Sequence, residues 1–234
     1  GYYPSIEDMF NILEREEKII DDYNEEVALT INEVQDLVEE MELKLLKNDE
    51  LSWEDEQKSD EILDAMDEIF NQIEDINKSI NKIKEEAEKN NLVSNDLIEK
   101  FEKFQELLDN IMNEELMNAM EKLRQAMEDM DPSQLMDALE EFDFDMKAFE
   151  EEIDRFIDMF EQALAEQKID ELVKKLEKLV EEQTNIVETL TDNPTMNTEK
   201  LSSRERGQEE EFKNIKNVMQ EAERSIEKFS NTAS

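Results

Sequence analysis

Carboxylates are the one reactive group this chain holds in abundance: 67 Asp and Glu face 26 Lys and Arg, a formal net charge of 26 − 67 = −41. They gather at Glu54-Asp55-Glu56, from Asp60 to Glu68, at Glu128-Asp129-Asp131, and from Glu140 to Asp158. Carboxylates four residues apart on a helix can hold Ca²⁺, but an EF-hand also needs a glycine-bearing loop with ordered oxygen ligands. No such loop is present. Carboxylate-bridged metal pairs in helix bundles draw on Glu-x-x-His, and the chain has no histidine. That absence also removes the usual general base, the histidine-oriented nucleophile and the commonest zinc ligand. Cysteine is missing too, which excludes disulfides and thiolate metal sites and leaves the compartment open. With no glycine-rich phosphate loop and no nucleophile–base pairing, the sequence points to no catalytic, cofactor-binding or metal residues and to no enzyme. The acidic clusters read as solvated helix faces with weak, nonspecific cation attraction.

Three other features need weighing. Glu17 and Asn24 interrupt an apolar seam, and polar residues there fix register more readily than they catalyse. The Met cluster from Met112 to Met136, with Met146 and Met159, can form an adaptable groove for an apolar or amphipathic partner; filling irregular core space is the plainer reading. As partner contacts we single out Met117, Met120, Met127, Met136, Phe142 and Phe144. Trp53, the only tryptophan, is expected to anchor a helix end by covering the open end of a seam, rather than to stack on a ligand.

The elements that position these residues follow from spacing. Ile6, Phe10, Leu13, Ile20, Val27, Ile31, Val34, Val38, Met41 and Leu45 recur in steps of three and four, the mark of one long helix, entered through Pro4-Ser5 and the acids behind them. The pattern stops at Lys47-Asn48-Asp49-Glu50 and resumes after Ser52, an N-cap whose hydroxyl can accept from the Asp55 N–H. The second seam is Ile62, Met66, Ile69, Ile73, Ile76, Ile80, Ile83 and Ala87. Two such helices joined by a short turn should fold back on each other.

Asn90-Asn91 ends the second helix, and Ser94 caps a third with Leu97, Phe101, Phe104, Leu108 and Ile111. The register slips near Asn113, and Leu116, Met117, Met120, Leu123, Met127 and Met130 follow. Asp131-Pro132 starts another helix, with Leu135, Leu139 and Phe142 leading to FDFD at 142–145, where a break is expected. Beyond it run Phe149, Ile153, Phe156 and Phe160, then Ile169, Leu172, Leu176, Leu179, Ile186 and Leu190. Val173, Val180 and Val187 widen that stripe beyond what one neighbour covers. Thr191 to Lys200, with Asn193-Pro194, reads as a hinge. A last helix carries Leu201, Phe212, Ile215, Met219, Ala222, Ile226 and Phe229, with Ser202 and Glu205 at capping-box spacing.

The expected fold is all-α: an elongated antiparallel helical bundle of coiled-coil hairpins with a shorter Met/Phe-rich middle. By residue, 1–50 and 51–93 form a hairpin, 94–144 short helices, 145–190 a long helix, 191–200 a hinge, and 201–234 a last helix with a polar tail. No apolar run is long enough to span a membrane, and no signal peptide is visible. A start on Gly-Tyr-Tyr-Pro and an end on Ser-Asn-Thr-Ala-Ser read as a segment cut from something longer. Direct nucleic-acid binding is disfavoured, because phosphates are repelled. The basic runs at Lys168–Lys178 and Arg204–Arg206 alternate with Glu and look like ion pairs within helices.

Three phrases together resemble an uncharacterised bacterial family of membrane-anchored, coiled-coil-rich proteins, a domain of unknown function of the 4175 type. They are LSWEDEQKSDEIL (51–63), KFEKFQELLDNIMNEELMNAMEKLRQAMEDMDPSQLMDALEEFDFD (100–145) and LAEQKIDELVKKLEKLVEEQ (164–183). The middle phrase, with Met-Asp-Pro followed by an aromatic–acid pair, is the most specific. The resemblance implies a fragment of a larger protein, membrane helices ahead of it, and a place on the extracytoplasmic side of the envelope. It carries no functional residues. Together these features suggest a non-enzymatic scaffold, spacer or docking segment that binds a protein partner or itself, without cofactor. The alternative is an acidic helical chaperone or inhibitor that captures a basic or amphipathic client.

Overall fold

The structure is a computed structural model that describes residues 6–47, 51–111, 114–129, 131–192 and 198–232. Pro4, Ser5, Asn48–Glu50, Met112, Asn113, Met130 and Asn193–Pro194 lie outside the described residues, as do the side chains of Ile6, Leu190, Leu201, Ile226 and Phe229. Six helices make up nearly everything described: α1 (Ile6–Leu45), α2 (Trp53–Asn90), α3 (Asn95–Ile111), α4 (Glu114–Glu128), α5 (Pro132–Asp192) and α6 (Thr198–Thr232). There is no strand among the described residues, and the fold is an all-α helical bundle. Packing divides the chain into two compact units. One comprises Arg15–Ile83 and Phe101–Met159; the other comprises Gly1–Glu14, Lys84–Lys100 and Phe160–Ser234.

In the first unit, α1 and α2 form the expected hairpin. Their partners recede in step: Lys44 pairs with Asp55, Lys58 with Glu40, Tyr23 with Asp75, and Lys82 with Glu16. Such a ladder exists only between antiparallel helices. The heptad seams become its core, with Ile20, Val27, Ile31, Val34, Val38 and Met41 buried against Ile62, Met66, Ile69, Ile73, Ile76, Ile80 and Ile83. Further core comes from Phe101, Phe104, Leu108 and Ile111 of α3 and from Leu116, Met120, Leu123 and Met127 of α4. Ring edges meet faces at Phe70–Phe149 (6.2 Å, 86°) and Phe104–Phe156 (6.1 Å, 88°), the geometry favoured by the ring quadrupole.

The helix ends show why the chain breaks where it does. Asn91 has φ of 51°. Leu92 N–H donates to the Ala87 carbonyl at 3.0 Å, and Asn91 N–H to that of Glu88 at 3.1 Å. These two bonds are the Schellman closure of α2, with Asn in the left-handed position that only Gly and Asn adopt cheaply. Ser94 Oγ accepts from the Leu97 N–H at 3.4 Å. Asp131 Oδ1 accepts from the Ser133 and Gln134 N–H groups at 2.9 and 3.3 Å, so Asp131-Pro132 opens α5 as expected.

Three expectations are corrected. α5 does not break at FDFD, nor does a separate helix begin at residue 145; it runs from Pro132 to Asp192. Leu135, Leu139, Phe142, Met146 and Phe149 stay on one buried line through that phrase, and its four residues include no helix breaker. α6 begins at Thr198, so Ser202 and Glu205 lie inside the helix and do not cap it. Its inward face is Gln208, Ile215, Val218 and Ala222, while Phe212 and Met219 are exposed. The seam turns toward Val218, so that of the apolar line expected there only Ile215 and Ala222 are seen to be buried.

The second unit contains the final part of α5 with α6. Lys168 donates to Glu14 at 2.9 Å, the Ser94 N–H donates to Asp170 at 2.7 Å, and Lys100 pairs with Glu166. Further along, Lys178 reaches Glu211 of α6 at 2.6 Å, and Gln183 donates to Gln208. The lysine run therefore pairs between helices as well as within α5, where Lys175 meets Glu171 at 2.5 Å and Lys174 meets Glu177 at 3.4 Å.

Candidate interaction surface

The six residues singled out as partner contacts do not share one exposed patch. Met120, Met127 and Phe142 are buried, Met136 is half-buried, and Met117 and Phe144 are exposed, Phe144 at 73%. Met120 and Met127 fall on the same line of α4 as Leu116 and Leu123, so they fill space as leucines would. Trp53 is 75% exposed and does not cover the seam.

Asp55 holds that corner instead. Its carboxylate accepts from the Ser52 N–H at 2.8 Å and the Ser52 hydroxyl at 2.6 Å, and it lies 2.7 Å from Lys44 at the end of α1. The Ser52 hydroxyl thus donates to Asp55 rather than accepting from its backbone. Burial pushes the Asp55 carboxyl up, but the Lys44 and Ser52 hydrogen bonds outweigh it and hold the group below its ordinary value. Glu16 repeats the pattern between α1 and α2: burial raises it, while Lys82 and Ser79 hydrogen bonds and the Lys82 charge leave it lowered overall. Glu17 and Asn24 lie buried in the α1 seam, the place where a polar residue specifies register. Spacing did not reveal Glu16, because one more acid in so acidic a helix carries no signal.

Elsewhere carboxylates crowd one another. Burial and the Asp143 and Glu140 charges raise Glu42. Burial with Glu141 and Glu115 raises Asp145, and burial with Glu150 and Asp158 raises Asp154. Among the described residues no three carboxylates converge as metal ligands would.

Among the described residues, the largest run of apolar side chains left in water lies on α5. Ile169, Val173, Leu176, Val180 and Val187 are all exposed, Val180 at 65% and Val187 at 59%. They follow one another at four, three, four and seven residues along a stripe about 27 Å long. Ile186 is buried beside Gly207, Gln208 and Glu211 of α6, and Leu172 and Leu179 are half-buried, so one side of a stripe broad enough for two neighbours is covered. Val180 and Val187 line an open furrow of about 350 Å³ with Leu179, Gln183, Thr184 and Glu188. Phe212 and Met219 on α6 are exposed as well. The width of the α5 stripe was legible in the sequence; which side stayed bare was not.

No helix among the described residues is long and apolar enough to cross a membrane. Comparison with protein-family models, curated proteins and solved structures found no match.

Proposed function

We propose that this chain is a non-enzymatic helical scaffold and docking segment of a larger bacterial envelope protein, and that it binds a protein partner through the apolar stripe of α5. The observation that carries this reading is the exposed run Ile169–Val173–Leu176–Val180–Val187. Side chains at heptad spacing are spent on a seam, and contiguous apolar surface of that kind marks an interaction site. Long helices closed by hairpin ladders supply a stiff frame, and the charged faces keep it in solution. The envelope location rests on the resemblance of the three quoted phrases. Met117 and Phe144 are exposed in the other unit and form no part of this stripe, and Met120, Met127 and Phe142 are core there.

The reading is tested by replacing Val180 and Val187 together with Ser. Those side chains are mostly in water, Val180 at 65% and Val187 at 59%, so urea unfolding of dilute protein should shift by less than about 0.5 kcal/mol. Association should be lost. A clear loss of stability in dilute protein would make the stripe part of the fold's own core and end the docking reading.

Capture of a basic client is a second reading, favoured by the like-charge crowding at Glu42, Asp145 and Asp154. Such binding weakens steeply as salt screens it, whereas binding to the α5 stripe does not.

A further inference from the structure

Taking the docking reading as given, we propose that the occupant of the α5 stripe is a second copy of this chain. The two α5 stretches would run antiparallel about a two-fold axis near Lys178. In heptad terms Val173, Val180 and Val187 hold the a positions, and Ile169, Leu176 and Gln183 hold d. Laid antiparallel in this register, every a position meets a d position. Leu176 faces Val180 of the second copy, Val173 faces Gln183, and Ile169 faces Val187, each layer occurring twice as two-fold symmetry requires. The lone polar member, Gln183, hydrogen-bonds to Gln208 within its own copy, so it need not be stranded in the interface.

Charge decides the direction. From 168 to 178 the stretch carries Lys168, Lys174, Lys175 and Lys178 against Asp170, Glu171 and Glu177, which is 4 − 3 = +1. From 181 to 188 it carries Glu181, Glu182 and Glu188 with no base, which is −3. Lys168 and Lys178 are already paired with Glu14 and Glu211, which brings the first half to 4 − 5 = −1. Parallel pairing sets −3 beside −3, whereas antiparallel pairing sets each −3 beside this less acidic half and lowers the repulsion. Glu177 falls near the axis, where its own Lys174 at 3.4 Å offsets its image.

Charge also decides the place. Residues 160–234 hold 17 acids and 11 bases, a net of −6; residues 1–159 hold the remaining 67 − 17 = 50 acids and 26 − 11 = 15 bases, a net of −35. Two copies repel strongly through the earlier stretch. The bare stripe lies in the part of the chain where approach costs least.

The absence of cysteine makes the test clean. Full-length Ile169→Cys and Val187→Cys proteins, one carrying a mass tag, are mixed and mildly oxidised. The antiparallel register predicts that the mixed 169–187 cross-link dominates; cross-links of each variant with itself would overturn it. Sedimentation should show a concentration-dependent dimer, and Val180→Glu should raise its dissociation constant at least ~10-fold with helicity unchanged, since the carboxylate would be buried unpaired. A wild type that stays monomeric overturns the second copy as occupant. If the Val180 and Val187 to Ser variant still unfolds like the wild type, docking to another partner survives that result, which separates the two failures.

Discussion

Asp55 and Trp53 lie two positions apart at the start of α2 and meet opposite fates. The aromatic ring is left 75% exposed, while the carboxylate finds three donors at once on Ser52 and Lys44. Short acids at helix starts reach backbone N–H groups that nothing else satisfies. Asp55→Ala is therefore expected to cost ~1–2 kcal/mol in urea unfolding, and Trp53→Ala less than about 0.5 kcal/mol. The reverse order would show that the ring closes the corner. The sequence announced a cap here but not which side chain gives and which receives. That depends on Lys44 arriving from the other helix.

Along the elements, period was the reliable guide and punctuation the weak one. Every described α1 and α2 seam residue from Phe10 to Met41 and from Ile62 to Ala87 is buried. Asn91 and Asp131 end and begin helices where their types suggested. The expected break at FDFD failed because alternating Phe and Asp imitates a strand or kink only when read locally. Within the four-and-three spacing from Leu135 to Phe149, Phe142 points inward and Phe144 out. Phe144→Ala should leave stability within about 0.5 kcal/mol of the wild type. Phe144→Pro should cost ~3 kcal/mol or more by breaking an uninterrupted helix. Equal tolerance of both would indicate a break at that site after all.

For the molecule as a whole, repulsion within a net charge of −41 adds to the chain entropy that opposes folding. Glu42, Asp145 and Asp154 are raised, so the folded state binds their protons more tightly than the unfolded chain does. Each therefore adds stability as pH falls from neutral toward the carboxylate range. Asp55 and Glu16 are lowered, so the stability they contribute is present above the unfolded value near 4 and is lost as pH falls through their folded values. The melting temperature should accordingly rise from pH 7 toward ~5 and fall again below ~4. At neutral pH added salt should raise it by screening a net charge of −41. A melting temperature that declines steadily on acidification from pH 7 would contradict this balance.

By itself the sequence determined the all-α class, the hairpin of α1 and α2, the helix ends at Asn91 and Asp131, and the lack of residues for histidine or thiolate chemistry. Those follow from local spacing and composition, which no distant contact can alter. Tertiary structure alone decided that Met120, Met127 and Phe142 are core, that α6 turns Phe212 and Met219 outward, and that one side of the α5 stripe is left in water. A stripe's spacing tells how much apolar surface must be covered; only the number of helices that arrive beside it tells how much is.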